Sequence, residues 1–274
     1  MSVAAIIPAR YASTRFPGKL LAQDTGKPLI QHVHEAVSAA RRIDRILVAT
    51  DDQRIAEAVR AFGGNVVMTR SDHITGTDRV AEVASRLDDD LIINVQGDEP
   101  EMDPTAVDKL VELMERRPDA LMGSLACPFR NETDVLNPAC VKVVLDQAGN
   151  ALYFSRSLIP YPRDAAGKVE TPGHWLLHLG AYAYRRDFLM RLTAMPPTAL
   201  ERIEQLEQLR ALYIGARIAI AVVERESTGI DTPQQYAAFV DRYRRRQSER
   251  AAGLEPARPF DRGGASPNRT ASPR

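Results

Sequence analysis

Cysteine is scarce in this 274-residue chain: Cys127 and Cys140 are the only two, too few for a disulfide framework. Neither sits in a Cys-x-x-Cys or Cys/His metal spacing, so both are expected as free thiols in a reducing compartment. Long apolar runs are missing too, since no stretch approaches the ~18 uninterrupted apolar residues of a membrane-crossing helix. Nor does the chain open with a basic region, an apolar run and a cleavage site in that order. A cytoplasmic protein without a membrane partner is the expectation. Net charge is absent as well, 36 basic residues balancing 36 acidic ones. The balance hides an asymmetry: from Arg244 onward eight arginines face three acids, so the tail is +5 and the body −5. A mildly acidic body argues against nucleic acid as the main partner. Both common phosphate fingerprints, G-x-G-x-x-G and G-x-x-x-x-G-K-[ST], are also lacking, which excludes an ordinary dinucleotide loop and a P-loop.

What is present begins almost at once. Residues 6–19 read as a short buried strand running into a loop that carries Arg10, Ser13, Arg15, Gly18 and Lys19. Three permanent cations beside glycine suit a polyphosphate: guanidinium groups grip phosphate oxygens bidentately, lysine supplies a point charge, and glycine lets backbone N–H groups approach. A solvated basic loop is the plain alternative. The preceding strand favours the first, because ligands of open α/β sheets sit outside the carboxyl ends of the strands.

Downstream, apolar runs and amphipathic stretches alternate. Helical spacing marks 28–43, 53–62, 104–117, 187–193 and 200–213, the last with Ile203, Leu206, Leu209 and Tyr213 as a buried stripe. Strands are predicted at 45–50, 65–69, 91–95, 120–127, 178–184 and 218–223, with 91–95 the most hydrophobic and a candidate for the sheet centre. A hairpin is expected over 141–156 around an Asp/Gly/Asn turn. Thr232-Pro233-Gln234-Gln235 has the form of a helix start, opening a last helix to about Arg246. The fold class is α/β: a doubly wound, mostly parallel sheet with a small antiparallel subregion. Residues 1–246 form one domain, and 247–274, rich in Arg, Pro, Gly and Ser, a disordered tail.

Asp98 follows the central strand at the edge where ligands bind. A carboxylate there, opposite a cationic phosphate loop, suits Mg²⁺, which takes one or two carboxylates plus substrate oxygens. The alternative is a turn aspartate capping the helix that starts near Pro104. Asp231, in Gly-Ile-Asp-Thr-Pro, reads first as a turn or cap residue. Asp88, Asp89 and Asp90 read as a solvated helix end. Asp51 and Asp52 end a strand where an acid meets a ribose or base or caps a helix, and His73 lies in a polar loop with Gly76. Arg156 and His178 suit a substrate bearing a carboxylate, with Tyr182, Glu207 and Gln208 nearby in the second half.

Several of these stretches together resemble the sugar cytidylyltransferase family: Ile7-Pro-Ala-Arg-Tyr-Ala-Ser-Thr-Arg-Phe-Pro-Gly-Lys19, Val48-Ala-Thr-Asp-Asp52, His73-Ile-Thr-Gly-Thr-Asp-Arg79, Asn94-Val-Gln-Gly-Asp-Glu-Pro100, Ala151-Leu-Tyr-Phe-Ser-Arg156, His178-Leu-Gly-Ala-Tyr182, Leu206-Glu-Gln-Leu-Arg210 and Gly229-Ile-Asp-Thr-Pro233. The resemblance covers about residues 2–245 and is similar to the branch acting on the eight-carbon acid sugar 3-deoxy-D-manno-octulosonate (Kdo). It implies a Rossmann-like nucleotidyltransferase fold, CTP and Kdo as substrates, Mg²⁺ on Asp98 and Asp231, and a homodimer. Arg10, Lys19 and Asp98 would be catalytic. Ala9, Arg10, Ser13, Lys19, Asp51, His73, Thr75, Gly76 and Gln96 would hold the nucleotide. Arg15, Arg79, Gln96, Arg156, His178, Tyr182, Glu207 and Gln208 would surround the sugar. Residues 130–215 or so would form the sugar-binding and dimer-contact subregion. Another acid sugar, 8-amino-Kdo or a sialic acid, or a silent nucleotide-binding module, are the alternatives.

Overall fold

Buried strands alternating with one-sided helices can satisfy both apolar faces only by stacking helices on each side of a sheet. The structure, a computed structural model, describes residues 1–252 apart from 226 and 228. In chain order, β1 (Val3–Ala9), α1 (Leu29–Ser38), β2 (Arg45–Thr50), α2 (Gln53–Ala61) and β3 (Val66–Met68) build the first half-sheet. Then come α3 (Gly76–Ala84), β4 (Leu91–Asn94), α4 (Pro104–Arg116), β5 (Met122–Pro128) and α5 (Glu132–Leu136). The hairpin β6 (Lys142–Leu145) and β7 (Ala151–Ser155) is followed by β8 (Leu176–Arg185), α6 (Arg186–Thr193), α7 (Ala199–Glu204), α8 (Gln208–Tyr213), β9 (Ile218–Val222) and α9 (Pro233–Ala251).

The strand order is β3-β2-β1-β4-β8-β5-β9, with β4 in the middle as its hydrophobicity predicts. All neighbours are parallel except β8, which runs antiparallel to both β4 and β5. The hairpin hangs on β8 through β6. Alternate residues of β1 divide the core: Ala5 and Ile7 pack under α1, α4 and α9, while Ala4 and Ile6 pack under α3 and α6 to α8. Burying each such Ile or Leu contributes about 1.5–3 kcal/mol.

Four sequence expectations change. The stretch 200–213 is two helices, because Gln205 takes a left-handed conformation (φ 53°) between them. Leu206 and Leu209 are buried, but Ile203 and Tyr213 are 79% and 67% exposed, so no single stripe forms. The loop read as 70–79 ends earlier, since Thr75 caps α3 in a capping box with Asp78. Asp89 is not solvated: it is 2% exposed beside Arg45 at 3.3 Å, and Asp90 accepts from the Ser2 amide. Finally, α9 runs to Ala251, so 247–251 is helix and not tail; the remainder of the predicted tail, 253–274, lies outside the described residues.

Candidate active site

The carboxyl ends of β1 and β4 and the start of α3 enclose a cleft of about 740 Å³. Backbone geometry draws it together. Gly18 has φ +69°, and a Cβ there would meet the Tyr11 ring at 3.0 Å, so the basic loop closes over that ring only with glycine. A Cβ at Gly97 would stand 2.7 Å from the Pro8 carbonyl, so a side chain would push the turn after β4 away from the loop after β1.

The loop lines one side of the cleft with Ala9, Arg10, Ser13, Arg15 and Lys19. Arg10 is exposed and forms no hydrogen bond or ion pair among the described residues. Lys19 is different: its Nζ lies 2.5 Å from Asp98 Oδ2, 3.2 Å from Asp231 Oδ1 and 2.7 Å from the Ile230 carbonyl. Asp103, not Asp98, caps α4, and Thr232 caps α9, so neither Asp98 nor Asp231 is consumed as a cap. Asp231 also meets Arg15 at 2.9 Å, which assigns Arg15 the bracing of that carboxylate. Two carboxylates and a carbonyl around one cation form an all-oxygen donor set of the hard kind Mg²⁺ takes. Among the described residues no group of three or more His, Cys, Asp or Glu forms a closed cage, so substrate oxygens would complete the shell.

Across the cleft stand His73, Thr75, Gly76, Arg79, Gln96 and Glu207. The His73 imidazole faces Glu82 at 2.5 Å, and Glu82 also accepts from the Arg70 amide and from Arg86. Burial works against ionising Glu82, yet these hydrogen bonds hold its carboxyl below the usual range. Arg79 is tied to Asp51 at 3.2 Å and to Thr69, so Asp51 stands behind the cleft wall rather than on it. Burial pushes the Glu207 carboxyl up, against the Thr77 and Thr75 hydroxyls beside it.

Four predicted sugar residues do not line the cleft. Arg156 is spent on the carbonyls of Glu204 and Pro138, because a guanidinium settles on the open end of a helix. His178 is 9% exposed and paired with Ser124, and burial drives its pKa down to about 3, so it is neutral and no cationic partner for a carboxylate. Tyr182 donates to Gln208 Oε1 at 3.3 Å, and burial raises its phenol. Gln208 is 2% exposed with Nε2 unpartnered.

Sequence reasoning passes over Glu82, Tyr11 and Glu99. Tyr11 carries Arg54 3.3 Å above its ring. Glu99 is 8% exposed and accepts from Ser227, and burial lifts its pKa to about 7, with adjacent Asp98 adding to the rise. Only Glu99, directly after Asp98 in the quoted motif, left a sequence signal.

A doubly wound sheet whose cleft joins an unpaired arginine, a lysine and two carboxylates at the strand ends defines a nucleotide-binding transferase. The model of a family described as "Cytidylyltransferase" matches residues 4–218, and the chain belongs to that family. It is 51% identical to a 3-deoxy-manno-octulosonate cytidylyltransferase of Geobacter sulfurreducens over 88% of this chain and 99% of the relative. One of Solibacter usitatus is 48% identical over 84% and 89% of the two chains. A solved structure of CMP:2-keto-3-deoxy-manno-octonic acid synthetase complexed with CTP superposes with a TM-score of 0.85 at 40% identity, covering 90% of this chain and all of that one. A 4-diphosphocytidyl-2C-methyl-D-erythritol synthase from Anaerococcus prevotii, 13% identical with a TM-score of 0.58, shares the fold alone.

Proposed function

We propose that the protein transfers CMP from CTP to the anomeric hydroxyl of Kdo, releasing pyrophosphate and CMP-Kdo for lipopolysaccharide synthesis in the cytoplasm. The observation that carries this reading is the convergence of Arg10, Lys19, Asp98 and Asp231 on one cleft in a chain about half identical to enzymes of that name. The sugar oxygen attacks the α-phosphorus in line and the bond to pyrophosphate breaks, without a covalent enzyme intermediate. The protein's share is positioning and charge stabilisation. Arg10 meets the triphosphate, and Lys19 offsets charge gathering on the leaving pyrophosphate. Asp98 and Asp231 would hold Mg²⁺, which when bound neutralises phosphate charge. Glu207, Gln96 and Arg79 face the sugar. The reading includes a homodimer, supported by Leu152, Ile203 and Tyr213, which are 60%, 79% and 67% exposed. Among the described residues no helix is long and apolar enough to cross a membrane.

The test is pyrophosphate release from CTP and Mg²⁺ with Kdo, 8-amino-Kdo and a sialic acid in parallel. Turnover with Kdo above the others is expected. A folded sample that binds CTP yet ignores Kdo would overturn the reading.

A further inference from the structure

Ser124, on β5, is fully buried and belongs to none of the nucleotide, sugar or metal contacts described above. Its place follows from an irregularity in the sheet. Ser124 pairs with Tyr182, but the next residue, Leu125, pairs with Leu179, so β8 carries Gly180 and Ala181 as a bulge. The bulge brings two carbonyls to one hydroxyl: Ser124 Oγ lies 2.9 Å from the Ala181 oxygen and 3.2 Å from the Leu179 oxygen. The third neighbour of that Oγ is His178 Nε2, at 2.9 Å.

Proton counting then decides the state of the imidazole. A hydroxyl has one proton, and both carbonyls can only accept. If Ser124 gave its proton to His178, two oxygen pairs would face each other at hydrogen-bond distance with no proton between them. If Nε2 carries the proton and donates to Oγ, Ser124 donates onward to a carbonyl and every group is served. A neutral ring protonated on Nε2 has a lone pair on Nδ1. That nitrogen forms no hydrogen bond among the described residues, and it is not sealed in without a partner as the Asn94 amide is. The ring itself is held edge to face by Phe154, centroids 4.8 Å apart, and flanked by Tyr182 at 5.5 Å.

We propose that Ser124 is a positioning residue of the sugar subsite: it fixes His178 as the Nε2–H tautomer, so that Nδ1 offers a lone pair to a hydroxyl of the acid sugar. The substrate group recognised is thus a donor and not the carboxylate, and the assignment of that group to a sugar rests on the CMP-transfer reading. An analogue carrying an ether or hydrogen at that hydroxyl loses the contact.

Selective ¹⁵N labelling of the five histidines tests the tautomer directly in the full-length wild-type protein, with His178→Gln assigning the signal. The expected result is a protonated Nε2 and an unprotonated Nδ1, with the Nδ1 resonance moving when Kdo is added to the CTP-bound protein. Ser124→Ala should raise the KM for the sugar about tenfold with the KM for CTP within about twofold, and Ser124→Thr, which keeps the oxygen, should restore it. An Nδ1–H tautomer in the wild type, an unmoved Nδ1 in a protein that turns Kdo over, or an unchanged sugar KM in a folded Ser124→Ala variant overturns the proposal. Failure of the wild type to turn Kdo over strikes the functional reading instead, and the tautomer remains readable without it.

Discussion

On the loop after β1, Arg10 and Arg15 stand exposed and carry permanent charge, whereas on β8 His178 and Tyr182 are withdrawn from solvent and neutral, each satisfied through a neighbour's side chain. The first region attracts a highly charged ligand at long range and tolerates its motion. The second recognises by counting donors and acceptors in a low dielectric, where an unmatched group costs about 1–3 kcal/mol. A transferase joining a polyanion to a polyhydroxylated acid needs both kinds of surface, and here they meet at Gln96 and Glu207.

The sharpest way to break the charged region is Asp98→Asn. It should fold normally and lose about 10³-fold in turnover, read by pyrophosphate release beside a melting curve. Retained activity would remove Asp98 from the chemistry. The matching blow to the neutral side is Arg210→Leu. Arg210 and Glu201 form a buried two-bond pair, Nε to Oε2 at 2.8 Å, and Arg210 also serves the Leu192 and Met195 carbonyls. Leaving Glu201 buried alone should cost about 3–5 kcal/mol in urea denaturation.

Gly97→Ala sits between the regions. Displacing the Pro8 carbonyl contact should lower turnover about 10²-fold while the melting temperature moves by only a few degrees, because the shift misplaces Asp98 without emptying the core. The smallest effect is a pH dependence. His178 titrates near 6.5 when unfolded but near 3 when folded, so below about pH 6.5 the unfolded chain binds a proton that the native one refuses. Its contribution to stability is therefore complete above pH 6.5 and is lost as pH falls toward 3, at no more than about 1.4 kcal/mol per pH unit. Comparing acid denaturation of wild type and His178→Gln checks the sign: the wild type should lose stability faster below pH 6.5.

The same division explains what could be read without the fold. Arg10, Lys19 and Asp98 are legible because charge and strand ends are local signals, and the cleft does bring them together. Strand boundaries such as Arg45–Thr50 follow from local hydrophobicity. Arg156 and His178 are visible as residue types, but their partners are not. Arg156 turns to the end of α7 because Gln205 breaks a helix that periodicity alone would continue. The neutrality of His178 depends on a bulge two strands meet to form, for which Gly180 is the only trace in the sequence. Asp89 shows the same limit in reverse: three consecutive acids look solvated, yet the middle one is enclosed where β2 and the chain start converge.

Titrating CTP calorimetrically into wild type, Arg10→Ala and His178→Gln tests the division of labour most directly. The account predicts that Arg10→Ala weakens CTP about tenfold or more, as loss of a charge-assisted contact should, while His178→Gln leaves CTP affinity unchanged and raises only the sugar KM. Equal weakening of CTP by both substitutions would contradict it.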